Sequence, residues 1–449
     1  MEGMTTVGTK DWLISIENYD DGTTKKSLIG RVPPMLREIE SNKKCYDPLV
    51  VSIGPYHYGK PELQDLEKLK IRFAHQFYRA CDNDQVSIQE LYAKVAEVAG
   101  DARKCYEEDW TTKCLNNESF IRMMFLDGCF ILQYMNILTG EKGVDQLQAV
   151  KSSNLLFVWR DLFLLENQIP LLLLKKVEAS TPSSRLRAAL HDLLLQDPSR
   201  LREKNQGTSI TWEESPHLLD LMRAYLIGTS GPGIIENPIY SPSSYWVPNR
   251  SVIELVKSGI HFKASKTTNF TDVDFKSYFI YGNLMLPPIL VDDTTKPLLL
   301  NLAAYEMSPH GPSEFRVTSY ICLMDSLISR AEDVKELREK RIIVNNLGSD
   351  EQLARLFNEI AAYVVLDPLA YADFNYHIAK YHKYGLPVQK VCVRLSINDM
   401  SISAFTVAKA SESPSLPVTS SMHSSLPVPA LPVTVAGVQA YSRPRRARL

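Results

Sequence analysis

Two long apolar stretches, residues 120–138 and 154–174, most limit what this chain can fold into, because both carry charges where a membrane span carries none. The first contains Arg122 and Asp127; the second contains Arg160, Asp161, Glu166 and Pro170. A central Arg or Asp costs about 2.5–3.5 kcal/mol on insertion scales, so a pair of them offsets several leucines. Both stretches are therefore predicted to be buried core helices of a large soluble domain. Pro170 must kink or end the second helix, since it lacks an N–H and crowds the turn before it. A chain of 449 residues is long enough to bury such a core.

The flanking segments read as further helices. Behind Pro61, the residues Leu63, Leu66, Phe73, Phe77 and Cys81 fall close to helical period. Ser87 and Glu90 form a capping box, and Ile88, Leu91, Val95, Val98, Ala102 and Cys105 follow as a one-sided stripe, the pattern of a helix packed on a core. Ser349 and Gln352 repeat the capping pattern after Gly348. Residues 252–257 form a short helix stopped by Gly259. Short strands are expected at 49–53, 260–263, 272–275 and 284–291, and a loop with a short helix at 178–214. Past about Val393 the chain turns to Ser, Pro, Val, Leu and Thr with repeated L-P-V, a composition with nothing periodic to bury. The expected fold is mainly α: a flexible N-terminus (1–26), a large helical domain with a few short β-strands (27–392), and a disordered Pro/Ser-rich tail (393–449).

Composition removes several functions. A formal net charge of −2 gives no basic field for nucleic acid. The seven cysteines include no C-x-x-C pair, so zinc is not expected and the thiols read as reduced. The first residues lack the basic and apolar regions of a secretory signal. A cytoplasmic chain, or one weakly peripheral at a membrane, is expected.

Residues 47–61 read D-P-L-V-V-S-I-G-P-Y-H-Y-G-K-P. The spacing of Gly54, Gly59 and Lys60 behind an apolar run imitates a phosphate-binding loop. The chemistry does not: Pro61 supplies neither the hydroxyl that would hold magnesium nor an N–H, and Pro55, Tyr56, His57 and Tyr58 are bulky. No nucleotide and no other cofactor is expected. The remaining candidates are His57, and Glu166, Asn167 and Gln168 just before Pro170. A buried acid beside two amides suits a catalytic pocket. With no nucleophile or metal-ligand set alongside, the structural role, satisfying backbone freed by Pro170, is favoured. No catalytic, cofactor-binding or metal-binding residue is assigned. Searches for G-x-S-x-G, H-E-x-x-H and a complete phosphate loop all fail.

An ordered set of blocks carries a resemblance. R-V-P-P-M-L-R (31–37), D-P-L-V-V-S-I-G-P-Y-H (47–57), D-G-C-F-I-L (127–132), D-L-F-L-L-E-N-Q-I-P (161–170), H-L-L-D-L-M-R (217–223), A-Y-E (304–306), T-S-Y-I-C-L-M-D-S-L-I (318–328) and N-N-L-G-S-D-E-Q-L-A-R-L-F-N (345–358) are similar to the plant-specific domain of unknown function 247. The resemblance implies no agreed biochemical activity. It implies members that usually sit at a membrane through a C-terminal helix, some of them implicated in self-incompatibility in grasses. After Tyr384 this chain carries the Pro/Ser tail in place of the expected polar linker and span, so anchorage by that helix is not expected. The function expected is a non-enzymatic interaction protein with protein partners, in recognition or signalling. The alternative is a hydrolase-like enzyme using His57 or Glu166.

Overall fold

A computed structural model describes residues 29–80, 87–107, 115–138, 152–178, 190, 194, 215–228 and 250–384, except 279–280, 310, 363 and 368–369, and within them the protein is mainly helical. The N-terminal half holds α1 (Pro34–Arg37), α2 (Gln64–Ala80), α3 (Ile88–Lys104), α4 (Asn117–Leu138), α5 (Ser152–Leu162), α6 (Leu171–Glu178) and α7 (Leu218–Ile227). The rest runs α8 (Val252–Lys257), β1 (Ile260–Ala264), β2 (Asp274–Ser277), β3 (Gly282–Leu286), β4 (Ile289–Val291), α9 (Thr295–Met307), α10 (Arg316–Leu327), α11 (Ala331–Glu339), β5 (Ile343–Asn345), α12 (Asp350–Ile360) and α13 (Ala372–Tyr384).

Local signals set many of these boundaries. The Ser87 hydroxyl accepts the Glu90 N–H at 3.1 Å and the Glu90 carboxylate accepts the Ser87 N–H at 2.9 Å, so the capping box that opens α3 is complete. At α12 Ser349 caps Gln352 N–H at 3.3 Å, but the Gln352 amide reaches one residue further back, to the Gly348 N–H at 2.9 Å. Pro61 begins a 3-10 turn that leads into α2, and Gly259 takes a positive φ of 91° where α8 has ended.

The core grows around α4. Phe120, Met123, Met124, Phe130, Ile131 and Met135 are buried on it, with α2 and α3 on its flanks and α6 against it. At Gly128 a Cβ would lie 2.7 Å from Leu173, so this glycine sets how closely α6 approaches. By length and composition α4 passes as a membrane span, yet most of it lies in the protein interior. A second group of helices, α7 and α9 to α12, continues the same apolar cluster. The three-stranded sheet has order β1-β3-β2, with β3 parallel to β1 and antiparallel to β2. Beside it β4 pairs in parallel with β5.

Two expectations need correction. Residues 154–174 are not one helix kinked at Pro170: α5 ends at Leu162, and Pro170 directly precedes α6. The stop is made by side chains that take the last carbonyls of α5, described below. Residues 49–53 form no strand: Leu49 and Val50 lie in a bend, and side chains satisfy the backbone donors of the segment. The tail from 393, the N-terminal 1–26 and all of 179–214 except Leu190 and Leu194 lie outside the described residues.

Candidate functional site

The segment that imitates a phosphate loop does bind anions through its backbone, and the anions are the protein's own side chains. Asp161, at the end of α5, accepts the N–H groups of Leu49 (2.9 Å), Val50 (2.8 Å) and Val51 (3.1 Å). Arg160 pairs with it at 2.7 Å and also donates to Asp47 O and Lys44 O. Six residues after Asp161, Asn167 acts as a strand partner: Oδ1 accepts Ile53 N–H at 2.7 Å and Nδ2 donates to Val51 O at 3.1 Å. Asp127 on α4 accepts the Gly54 N–H at 2.8 Å. Gly54 itself has φ +73°, and a Cβ there would sit 2.4 Å from Gln168 O. Five backbone donors between Leu49 and Gly54 are thus committed to internal acceptors.

Glu166 gathers the 31–37 block onto the same region. Its Oε1 accepts Val32 N–H at 2.9 Å, and its Oε2 faces Arg31 at 3.2 Å and Arg37 at 3.4 Å. Arg37 also bridges to Asp47 at 2.9 Å, and Arg31 lies over the Tyr56 ring at 3.9 Å. Burial opposes ionisation of Asp47, but Arg37 and Lys60 prevail and hold its carboxyl below the usual range. His57 is 1% exposed, and its Nε2 lies 3.9 Å from Glu166 Oε2, beyond hydrogen-bond reach. Neither ring nitrogen has a hydrogen-bond partner among the described residues. Burial, aided by Lys60, Arg37 and Arg31 against Asp47, pushes its pKa down to about 3, so the imidazole is neutral at pH 7.

Gln168 ends α5 and seats α7. Its Nε2 donates to Leu162 O (2.7 Å), Leu164 O (2.8 Å) and Asn167 O (3.1 Å), while its Oε1 accepts Leu219 N–H (3.1 Å). After Pro170, the Leu171 N–H donates to Pro216 O at 2.8 Å. The same device recurs elsewhere. Glu306 accepts Val317 and Thr318 N–H at the start of α10 and pairs with Arg223 at 2.7 Å. Asp333 accepts Ile253, Ser329 and Arg330 N–H. Asn301 accepts Leu165 N–H at 2.8 Å.

The structure therefore brings His57, Glu166, Asn167 and Gln168 together, with Pro170 opening the next helix. Their chemistry is that of held groups. Glu166 is 2% exposed, and its two oxygens are taken up by one peptide donor and two guanidiniums. Asn167 and Gln168 spend their amide groups on backbone. A small cavity lined by Trp159, Leu226, Phe270, Pro288, Leu298 and Leu299 contains none of these residues. Sequence reasoning missed Asp161, Asp127, Lys70, Asn301, Glu306 and Asp333. For Asp161 and Asp127 the signal was present: an acid inside an apolar run must find donors, and here the donors are the 49–54 backbone.

The comparisons agree with this motif set. The model of the DUF247 family, described as plant protein of unknown function, matches residues 29–408. A UPF0481 protein of Arabidopsis thaliana is 29% identical over 80% of this chain and 77% of its own length. A putative UPF0481 protein of the same plant is 23% identical over 81% of this chain and 84% of its own. No solved structure matches. The blocks that pin the backbone around residues 47–57 all fall inside the matched region, and the chain belongs to the plant DUF247 family.

Proposed function

We propose that this chain is a non-enzymatic interaction protein acting in recognition or signalling, with protein partners. The observation that carries the reading is the commitment of its most reactive-looking side chains: Asp161, Glu166, Asn167 and Gln168 are spent on backbone and guanidinium groups. The segments they hold also present large apolar side chains to solvent, with Met35 56%, Leu49 50% and Tyr58 41% exposed. Exposed apolar groups on a rigidly held surface suit contact with another protein. The test is proximity labelling in plant tissue with the natural chain and a Met35→Ser/Leu49→Ser/Tyr58→Ser variant. Loss of a defined set of neighbours in the variant is expected; identical sets would overturn the reading.

One observation favours the alternative, a hydrolase-like enzyme: the 3.9 Å approach of His57 to Glu166. Turnover of ester or peptide substrates that disappears in a folded His57→Gln variant would establish it in place of the interaction reading.

A further inference from the structure

Among the described residues, three Lys or Arg ion pairs have both side chains less than a tenth exposed: Arg160–Asp161, Arg223–Glu306 and Lys70–Asp127. A guanidinium does not deprotonate in a protein and is no nucleophile. Lys70 is the one amine of the three. It sits on α2, with Nζ 2.6 Å from Asp127 Oδ1 on α4 and 2.5 Å from Ser52 O. Glu67, one turn earlier on α2, contacts the same Nζ and accepts the Ser52 hydroxyl at 3.0 Å. A turn beyond, the Phe73 and Phe130 rings pack at a tilt of 53° with their centres 4.9 Å apart, which puts apolar rings beside the cluster.

We propose that Lys70 and Asp127 are a self-modification site: the buried amine and carboxyl condense, with Glu67 as proton relay, into an isopeptide bond that joins α2 to α4. Burial works against the Lys70 ammonium, but Asp127 and Glu67 prevail and raise its pKa, while burial raises that of the Asp127 carboxyl, so the reaction must begin by moving a proton from the amine to the acid. Glu67 takes a proton from the Lys70 ammonium and passes it to Asp127 Oδ1. The Nζ lone pair then adds to Asp127 Cγ. Oδ2, held by the Gly54 N–H at 2.8 Å, carries the developing negative charge and becomes the amide oxygen. Glu67 relays a second proton from the nitrogen to Oδ1, the Cγ–Oδ1 bond breaks, and water leaves. One of the three ammonium protons stays on the amide nitrogen, Glu67 ends as it began, and no other reactant enters. The product keeps its partners: the new amide N–H faces Ser52 O, and its oxygen stays on the Gly54 N–H. Two packed helices hold the reacting groups in contact, which replaces the entropy cost of a bimolecular condensation.

The experiment is the intact mass of the purified full chain under denaturing conditions, followed by a tryptic map. The chain is expected to be one water lighter than its sequence, with Lys70 resistant to trypsin and a branched peptide joining α2 to α4. The sequence mass, with linear Lys70 and Asp127 peptides, would overturn the proposal. Asp127 precedes Gly128, and ring closure at that pair also loses one water. That loss stays within one linear peptide, so finding it there overturns the proposal equally. Lys70→Arg should appear at its own full mass, as should a Glu67→Gln chain whose circular dichroism matches the natural protein. A branched peptide in Glu67→Gln would overturn the relay assigned to Glu67.

Discussion

Replacing Asn167 tests whether the 161–170 block is a backbone clamp. Asn167 is fully buried and neutral, so its cost is readable without charge effects. In Asn167→Ala the buried Ile53 N–H loses its acceptor, an expected cost of about 1–3 kcal/mol. Val51 O loses its donor outright, while Asp161 O keeps a long contact from Leu164 N–H at 3.4 Å. Each lost carbonyl bond adds about 0.5–1.5 kcal/mol, for a total of roughly 2–6 kcal/mol. Against a domain stability of about 5–15 kcal/mol that is severe. Asn167→Asp separates shape from chemistry. It keeps the acceptor for Ile53 but sets a carboxylate oxygen where Nδ2 now lies, 3.1 Å from Val51 O and 2.9 Å from Asp161 O. That acid is stable there only when protonated, so its folded pKa rises. Its destabilisation should then be small at low pH and grow as pH rises through that folded pKa. Urea melts at pH 5 and pH 8 read both effects. An Ala variant within about 0.5 kcal/mol of the natural chain, or an Asp variant whose loss does not change with pH, would refute the clamp.

Three further outcomes follow from the geometry. His57 stays neutral when folded but is protonated below about 6.5 when unfolded; its contribution is complete above that value and declines as pH falls toward 3, by up to about 1.4 kcal/mol per pH unit. The measurement is the difference in slope between the natural chain and His57→Phe from pH 4 to 6, which cancels the titration of the groups the two share, and equal slopes would count against a neutral His57. Gly54→Ala and Gly59→Ala both place a side chain at positive φ, but only the first meets another atom, at 2.4 Å; Gly59→Ala should lower stability by about 1–2 kcal/mol and Gly54→Ala by clearly more, read in the same denaturant titration. Glu306→Ala strands Arg223 and the first turn of α10, an expected loss of about 3–5 kcal/mol, and an unchanged melting temperature would remove Glu306 from the set of clamps.

Much of the helical framework was legible because its signals are local. Ser87 with Glu90, Pro61 and Gly259 each act within one turn of the chain, and each marks an observed boundary. The end of α5 was not legible. Residues 163–165 and 171–174 are as apolar as a helix requires, and the stop comes from Gln168 together with Asn301, which reaches Leu165 from 136 residues away. Nor was β5: three residues carry too little alternation to register. At the site, Glu166, Asn167 and Gln168 stood out because polar residues interrupt an apolar run. Their partners did not, since a peptide N–H at Leu49 or Val32 looks the same in sequence as any other. Asp161 and Asp127 were weighed only as obstacles to a membrane span, whereas their donors lie on a segment more than 70 residues earlier.

The likeness of residues 47–61 to a phosphate loop and its lack of phosphate chemistry have one physical cause. A loop that binds phosphate aims successive N–H groups at a single anion. Here the N–H groups of Leu49, Val50 and Val51 converge on Asp161, and that of Gly54 on Asp127. These acceptors are tethered, so they fill the site at a local concentration that no dissolved ligand matches. Displacing Asp161 would also separate it from Arg160 and leave a buried guanidinium unpaired, a cost that a phosphate at the surface of the loop does not offset. The glycine spacing can then persist for a different reason: the chain must pass close to Gln168 at Gly54 with its donors turned inward. On this argument the motif blocks, widely separated along the chain, are the two halves of single contacts. The carboxylates and amides of Asp127, Asp161, Glu166, Asn167 and Gln168 are matched by backbone of the 31–37, 47–57 and 217–223 blocks, and a change on either side unpairs the other.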